Sequence, residues 1–154
     1  MLHLIHSPVA APNPALPAVA LRAERLQVAK RRWRGVAEDG TEFGFELEHP
    51  LRHGDTVFQN DTTRYVLEQL PEALLEVALD MPASAAAGLG WAVGNMHLEL
   101  CSEPERLLAL DEPAVRALFE RLHVHAHPVT GVFRPGHFAR GHHHVDELGH
   151  GHHH

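Results

Sequence analysis

Histidine carries the chemistry of this chain. It accounts for sixteen of 154 residues. Seven of these fall in the stretch "GHHHVDELGHGHHH", which runs from Gly141 to His154: His142, His143, His144, His150, His152, His153 and His154. Neutral imidazole ligates metal, and histidine with its ordinary pKa of about 6.5 is mostly neutral near pH 7. An engineered tag is usually an unbroken run after a linker, whereas here "VDELG" interrupts the histidines. The interruption favours a natural metal-binding tract. Such a tract offers many ligands and little geometry, so nickel, copper, zinc and cobalt could all bind it.

Two further histidine patterns stand out. His123, His125 and His127 alternate in "HVHAHPV". On a strand, residues i, i+2 and i+4 share a face, about 7 Å apart along the chain, and neighbours there could share an ion. The alternative is the solvated face of an edge strand. His97 stands alone in "GWAVGNMHLEL", just past a helix end expected at Gly94-Asn95. Read from its residues alone, it is a capping or surface histidine. His3, His6, His49 and His53 read as structural or solvated. Cys101 is the single cysteine, so it can form neither an internal disulfide nor a thiolate zinc site by itself, and it reads as a small buried residue. The run "KRRWR", Lys30 to Arg34, reads as a solvated strand face or a protein-docking patch.

The elements that must position these residues follow from patterning. Residues 1–70 read as an all-β domain. "LHLIH" is a short strand and "NPALPAVAL" a loop. "RWRGVAEDGTEFGFEL" is a hairpin, with Asp39-Gly40 suited to a type I′ turn and Phe43, Phe45 and Leu47 alternating after it. "HPLRHGD" is a loop, and "TVFQN" and "RYVLEQ" are strands. Residues 71–136 read as "ALLEVAL", strand or helix; a helix to about Asn95; strands in "LELCS" and "ERLLAL"; and a helix in "DEPAVRALFERL". That helix has Asp111 as N-cap, Pro113 in its first turn and an apolar stripe of Val115, Leu118, Phe119 and Leu122. "HVHAHPV" closes the domain as a strand. The order β-α-β-β-α-β is the ferredoxin-like one. Residues 137–154 are expected to be a disordered tail. The fold class is therefore α+β: an amino-terminal all-β domain, a ferredoxin-like domain and a His-rich tail.

Net charge is −7 with histidine neutral, which argues against non-specific nucleic-acid binding. The amino terminus lacks a basic region ahead of an apolar run, and no stretch approaches about 20 uninterrupted apolar residues. Together these predict a soluble, cytoplasmic protein that does not enter a membrane. No nucleophile–base pair and no phosphate-binding glycine loop is evident, so the chain does not read as an enzyme.

Five segments together resemble the urease accessory proteins of the UreE type, which are nickel metallochaperones. They are the hairpin with Gly54-Asp55 after it, "YVLEQLPEALLEV", "GWAVGNMHLEL", "DEPAVRALFERL" and "GVFRPGHFARGHHH". The resemblance implies a β-domain similar to a chaperone peptide-binding module, then a ferredoxin-like metal-binding domain that forms a homodimer. It puts His97 on the family's Gly-Asn-x-His histidine, which meets its symmetry mate and binds nickel. Tail histidines, His144 foremost, complete the sphere, and His123, His125 and His127 correspond more loosely to secondary sites. Ni(II) is the implied cargo, and Zn(II) or Cu(II) could occupy the same ligands. The implied partners are a urease accessory GTPase and, through it, the urease apoprotein. Met96 departs from the family, where a basic residue is common. The alternative function is a His-rich metal buffer without a delivery partner. A zinc enzyme built on His123, His125 and His127 would need a general base that the sequence does not offer.

Overall fold

A computed structural model describes residues 1–136. The expected tail, residues 137–154, lies outside the described residues. The chain is α+β and divides into two compact units between Leu70 and Pro71.

The first unit contains two three-stranded sheets. In one, β1 (Leu2–Ile5) runs parallel to β4 (Glu42–Glu46), which pairs antiparallel with β3 (Arg32–Val36). In the other, β2 (Ala18–Ala23) runs parallel to β6 (Arg64–Gln69), which pairs antiparallel with β5 (Thr56–Gln59). A single helical turn, α1 (Arg25–Val28), links β2 to β3. The alternation in β4 buries Phe43 and Phe45, which join Trp33, Leu21, Val57, Tyr65 and Leu67 in one core. Gly44 lies between the two phenylalanines. A Cβ there would meet Leu4 at 3.2 Å and Leu2 at 3.3 Å, so glycine lets β1 lie close beside β4.

The hairpin tip differs from the expected type I′ turn, which needs positive φ at both central residues. Here Gly40 N–H donates to the Ala37 carbonyl at 2.8 Å, and Ala37 N–H donates to the Thr41 carbonyl at 2.8 Å. Only Gly40 is left-handed, at φ 89°, so the turn is an ordinary one closed by a glycine bulge. Asp39 instead ties the tip to β6. Its carboxylate accepts from the Tyr65 hydroxyl at 2.8 Å and from Thr41 N–H at 3.0 Å.

The second unit runs β7 (Glu72–Ala78), α2 (Ala83–Asn95), β8 (Cys101–Ser102), β9 (Arg106–Leu110), α3 (Pro113–Arg121) and β10 (His127–Gly131). Its four strands form one antiparallel sheet in the order β10-β7-β9-β8. Both helices pack on one face. Leu89 and Val93 of α2, with Val115, Leu118 and Phe119 of α3, meet Leu75, Val77, Leu107 and Ala109 of the sheet. Each of the larger of these side chains, Ala109 apart, contributes about 1.5–3 kcal/mol when fully buried. On the opposite face Leu74, Cys101 and Leu108 pack with Phe133, which follows β10.

Several expectations are corrected. The loop read in "NPALPAVAL" ends at Pro17, and Ala18 already begins β2. Alanine and proline masked the strand, which its parallel partner β6 supplies with hydrogen bonds. "ALLEVAL", left open as strand or helix, forms most of strand β7. "LELCS" is a paired strand only at its end, from Cys101. Asp111 does not cap α3. The N-cap is Glu112, without a side-chain cap bond, because the Asp111 carboxylate is taken by Arg116 Nη2 at 2.8 Å. The closing strand starts at His127, four residues later than read, since His123 belongs to the end of α3.

Candidate metal centre

Helix α2 reaches the candidate centre almost without polar residues, and it buries only Leu89 and Val93. Trp91 is 70% exposed and Met96 47% exposed. At the carboxy-terminal end His97 N–H donates to the Gly94 carbonyl at 3.0 Å, and Leu98 N–H to the Val93 carbonyl at 3.2 Å. These two bonds define a Schellman turn, in which the residue at the position of His97 must be left-handed. Glycine usually fills that position. Here it is His97, at φ 57°, with its side chain exposed. Leu98 then turns inward against the core that contains Val93, which is the apolar contact that accompanies this turn.

Helix α3 ends in the same way. His123 N–H donates to the Glu120 carbonyl at 3.1 Å, and Val124 N–H to the Phe119 carbonyl at 2.9 Å. His123 is left-handed at φ 56°, and Val124 packs onto the same core. Among the described residues, His97 and His123 are the non-glycine residues with positive φ. A side chain in that conformation costs roughly 1–2 kcal/mol. This feature was missed in the sequence. The available signal was an apolar residue directly after each histidine, Leu98 and Val124, where a helix stop lacks its glycine.

The left-handed turn removes His123 from the row expected for His123, His125 and His127. His125 and His127 are brought together, with ring centres 4.5 Å apart and planes at 88°. All three histidines border an open groove of about 600 Å³ that is lined also by Val77, Met81 and Leu89. Among the described residues, no group of three or more His, Cys, Asp or Glu side chains gathers as a ready metal cage. His142, His143, His144, His150, His152, His153 and His154 lie outside the described residues.

Other candidates fall into structural roles. His53 Nδ1 accepts from Gln69 N–H at 3.0 Å, His6 Nδ1 lies 3.1 Å from the Glu46 carbonyl, and the His3 ring packs against Phe58 at 4.7 Å. Cys101 is buried, and its thiol pKa is raised, first by burial and then by the charge of Glu103. Lys30, Arg31 and Arg32 border a shallow basic cavity in the first unit. No helix among the described residues is long and apolar enough to cross a membrane.

The second unit is thus an α+β scaffold that exposes a histidine at the end of an apolar helix. Comparison with known proteins gives the family. The model of the UreE urease accessory protein C-terminal domain matches residues 72–154. The urease accessory protein UreE of Brucella anthropi is 32% identical over 134 residues, covering 84% of this chain and 78% of that protein. UreE 1 of Brucella suis is 30% identical over 132 residues, covering 83% of this chain and 81% of its own length. UreE of Pseudomonas fluorescens is 29% identical over 121 residues, 75% of this chain. The chain belongs to the UreE family of urease accessory proteins. Its role is accessory to urease and distinct from that of the urease enzyme itself.

Proposed function

We propose that this protein is a nickel carrier that delivers Ni(II) for assembly of the urease active site and is not itself a catalyst. The observation that carries the reading is His97, a metal-ligating residue type held exposed in a left-handed conformation at the end of α2. A stability cost at one exposed residue points to a function for that residue. The apolar, solvent-facing side of α2, with Trp91 beside the helix end, supports a homodimer through the second unit. A two-fold axis there would present His97 from each subunit to one ion. Few ligands from each subunit suit reversible binding better than a closed cage. The β-α-β-β-α-β order and the strand order β10-β7-β9-β8 support reading this unit as ferredoxin-like, and the first unit as a peptide-binding-like docking module. The tail histidines, His144 among them, would collect ions at high local concentration and pass them to His97. Zn(II) and Cu(II) would compete for the same imidazoles. The partners are a urease accessory GTPase and the urease apoprotein, in the cytoplasm.

The test is calorimetric titration with Ni(II) of three full-length proteins: the intact chain, His97→Ala, and a chain with the seven tail histidines changed to asparagine. The carrier reading expects the tail variant to keep one tight site per dimer and His97→Ala to lose it. If all tight binding leaves with the tail histidines and His97→Ala changes nothing, the protein is a metal buffer.

A further inference from the structure

We infer that the open edge of β3, with the cations Lys30, Arg31, Arg32 and Arg34, is a docking surface for an extended acidic segment of a partner protein, which adds to the sheet as a further strand. The chain has 13 Lys and Arg against 20 Asp and Glu, yet four of its cations fall within these five residues. All four are exposed, and none forms an ion pair among the described residues. Other arginines are engaged. Arg22 meets Glu68 at 3.2 Å and Glu38 at 3.5 Å, and Arg106 meets Glu76 at 2.8 Å. Glu46 stands opposite Arg32 across the strands and makes no ion pair with it. The patch is therefore a concentration of uncompensated positive charge on an acidic protein, and its complement is acidic.

The backbone decides what kind of acidic partner fits. β3 lies at the edge of its sheet, with β4 on one side only. Ala37 N–H donates to the Thr41 carbonyl and Leu47 N–H to the Arg31 carbonyl, both at 2.8 Å. Bonded residues alternate along an antiparallel strand, so Trp33 and Gly35 also turn their backbone toward β4, while Arg32, Arg34 and Val36 turn theirs to the free edge. Those N–H and carbonyl groups have no partner among the described residues. An extended peptide satisfies such a row by strand addition, whereas a nucleic acid would leave it unpaired. Acidic side chains at every second position of the peptide then meet Arg32 and Arg34, which share the exposed face. Just before the strand, Lys30, Arg31 and Arg32 border a cavity of about 560 Å³ with Leu47. A second copy of β3 does not fit, because it would set arginine against arginine. Edge cations do prevent such self-pairing, but Lys30 and Arg31 precede β3 and lie outside that role.

The inference gives the docking role of the first unit a face and a partner chemistry. It stands apart from nickel binding, so the test uses the full-length chain without metal, and its failure leaves the carrier reading untouched. The probe is a fluorescein-labelled peptide of about ten residues that alternates glutamate and threonine, followed by anisotropy. One peptide per chain is expected, with affinity that falls as salt rises. Arg32→Glu with Arg34→Glu, and separately Lys30→Glu with Arg31→Glu, weaken binding by at least about tenfold. Arg121→Glu, at an exposed cation of the second unit, changes it by less than about threefold. Two further peptides carry methyl groups on alternate backbone nitrogens, one in each phase. Binding to the unaltered protein weakens at least about tenfold for the phase that faces β3 and not for the other, although the charge is the same. Absence of binding, or binding that survives both charge reversals, overturns the inference. So does equal binding of both methylated peptides, which would make the strip a general polyanion site.

Discussion

The two units handle left-handed backbone differently. In the first unit the positions with positive φ are Gly40 and Gly54, both at loop turns, and a Cβ at either would meet nothing within 4 Å. The second unit also has one such glycine, Gly136, but two further positions are histidines, His97 and His123, each at the end of a helix. Where the chain only has to turn, glycine avoids the conformational cost. At the two helix ends the conformational cost falls on a histidine instead. The contrast separates turns that avoid the left-handed cost from helix ends that carry it.

The strongest way to break the contrast is to remove what holds a histidine turn in place. Phe119 is buried, and its carbonyl accepts from Val124 N–H in the turn that contains His123. Phe119→Ala should lower unfolding free energy by about 3–5 kcal/mol in urea denaturation. A loss under about 1 kcal/mol would mean that α3 does not anchor the turn.

Smaller changes sharpen it from each side. Gly40→Ala should destabilise by about 1–2 kcal/mol although space is open around it, because the penalty is conformational. His123→Gly should act in the opposite direction and stabilise by about 1 kcal/mol, since glycine is the residue this turn prefers. Thermal unfolding of the two variants beside the parent reads both signs.

The smallest effect concerns the glycine turn and acid. Asp39 has its carboxyl pKa lowered, first by the Thr41 backbone N–H and then by the Tyr65 hydroxyl. A lowered folded pKa contributes stability above the unfolded value, and that stability is lost as pH falls through the folded one. The hairpin contribution is therefore present at neutral pH and fades below about pH 4. Asp39→Asn should narrow the gap in unfolding midpoint between pH 6 and pH 3. An unchanged gap would remove Asp39 from the acid response.

Much of the fold was legible because period and order survive in the sequence. Phe43, Phe45 and Leu47 announce β4, and Val115, Leu118 and Phe119 announce the buried face of α3. What was hidden depends on partners distant in the chain. Ala18–Ala23 reads as loop until β6 pairs beside it. Glu112 replaces Asp111 as the cap of α3 because Arg116 takes the aspartate. At the candidate centre, spacing drew attention to His123, His125 and His127. Spacing alone could not show that a helix stop would separate the first from the other two. For His97, the family resemblance pointed to the residue, and the left-handed turn supplies a physical reason to examine it.

The most direct test of the central claim is to measure stability and Ni(II) affinity together on His97→Gly. The account predicts that thermal stability rises and that the tight nickel site weakens by at least about tenfold. Unchanged or lower stability, or a tight site that persists, would contradict the claim that His97 is kept in a costly conformation for its metal.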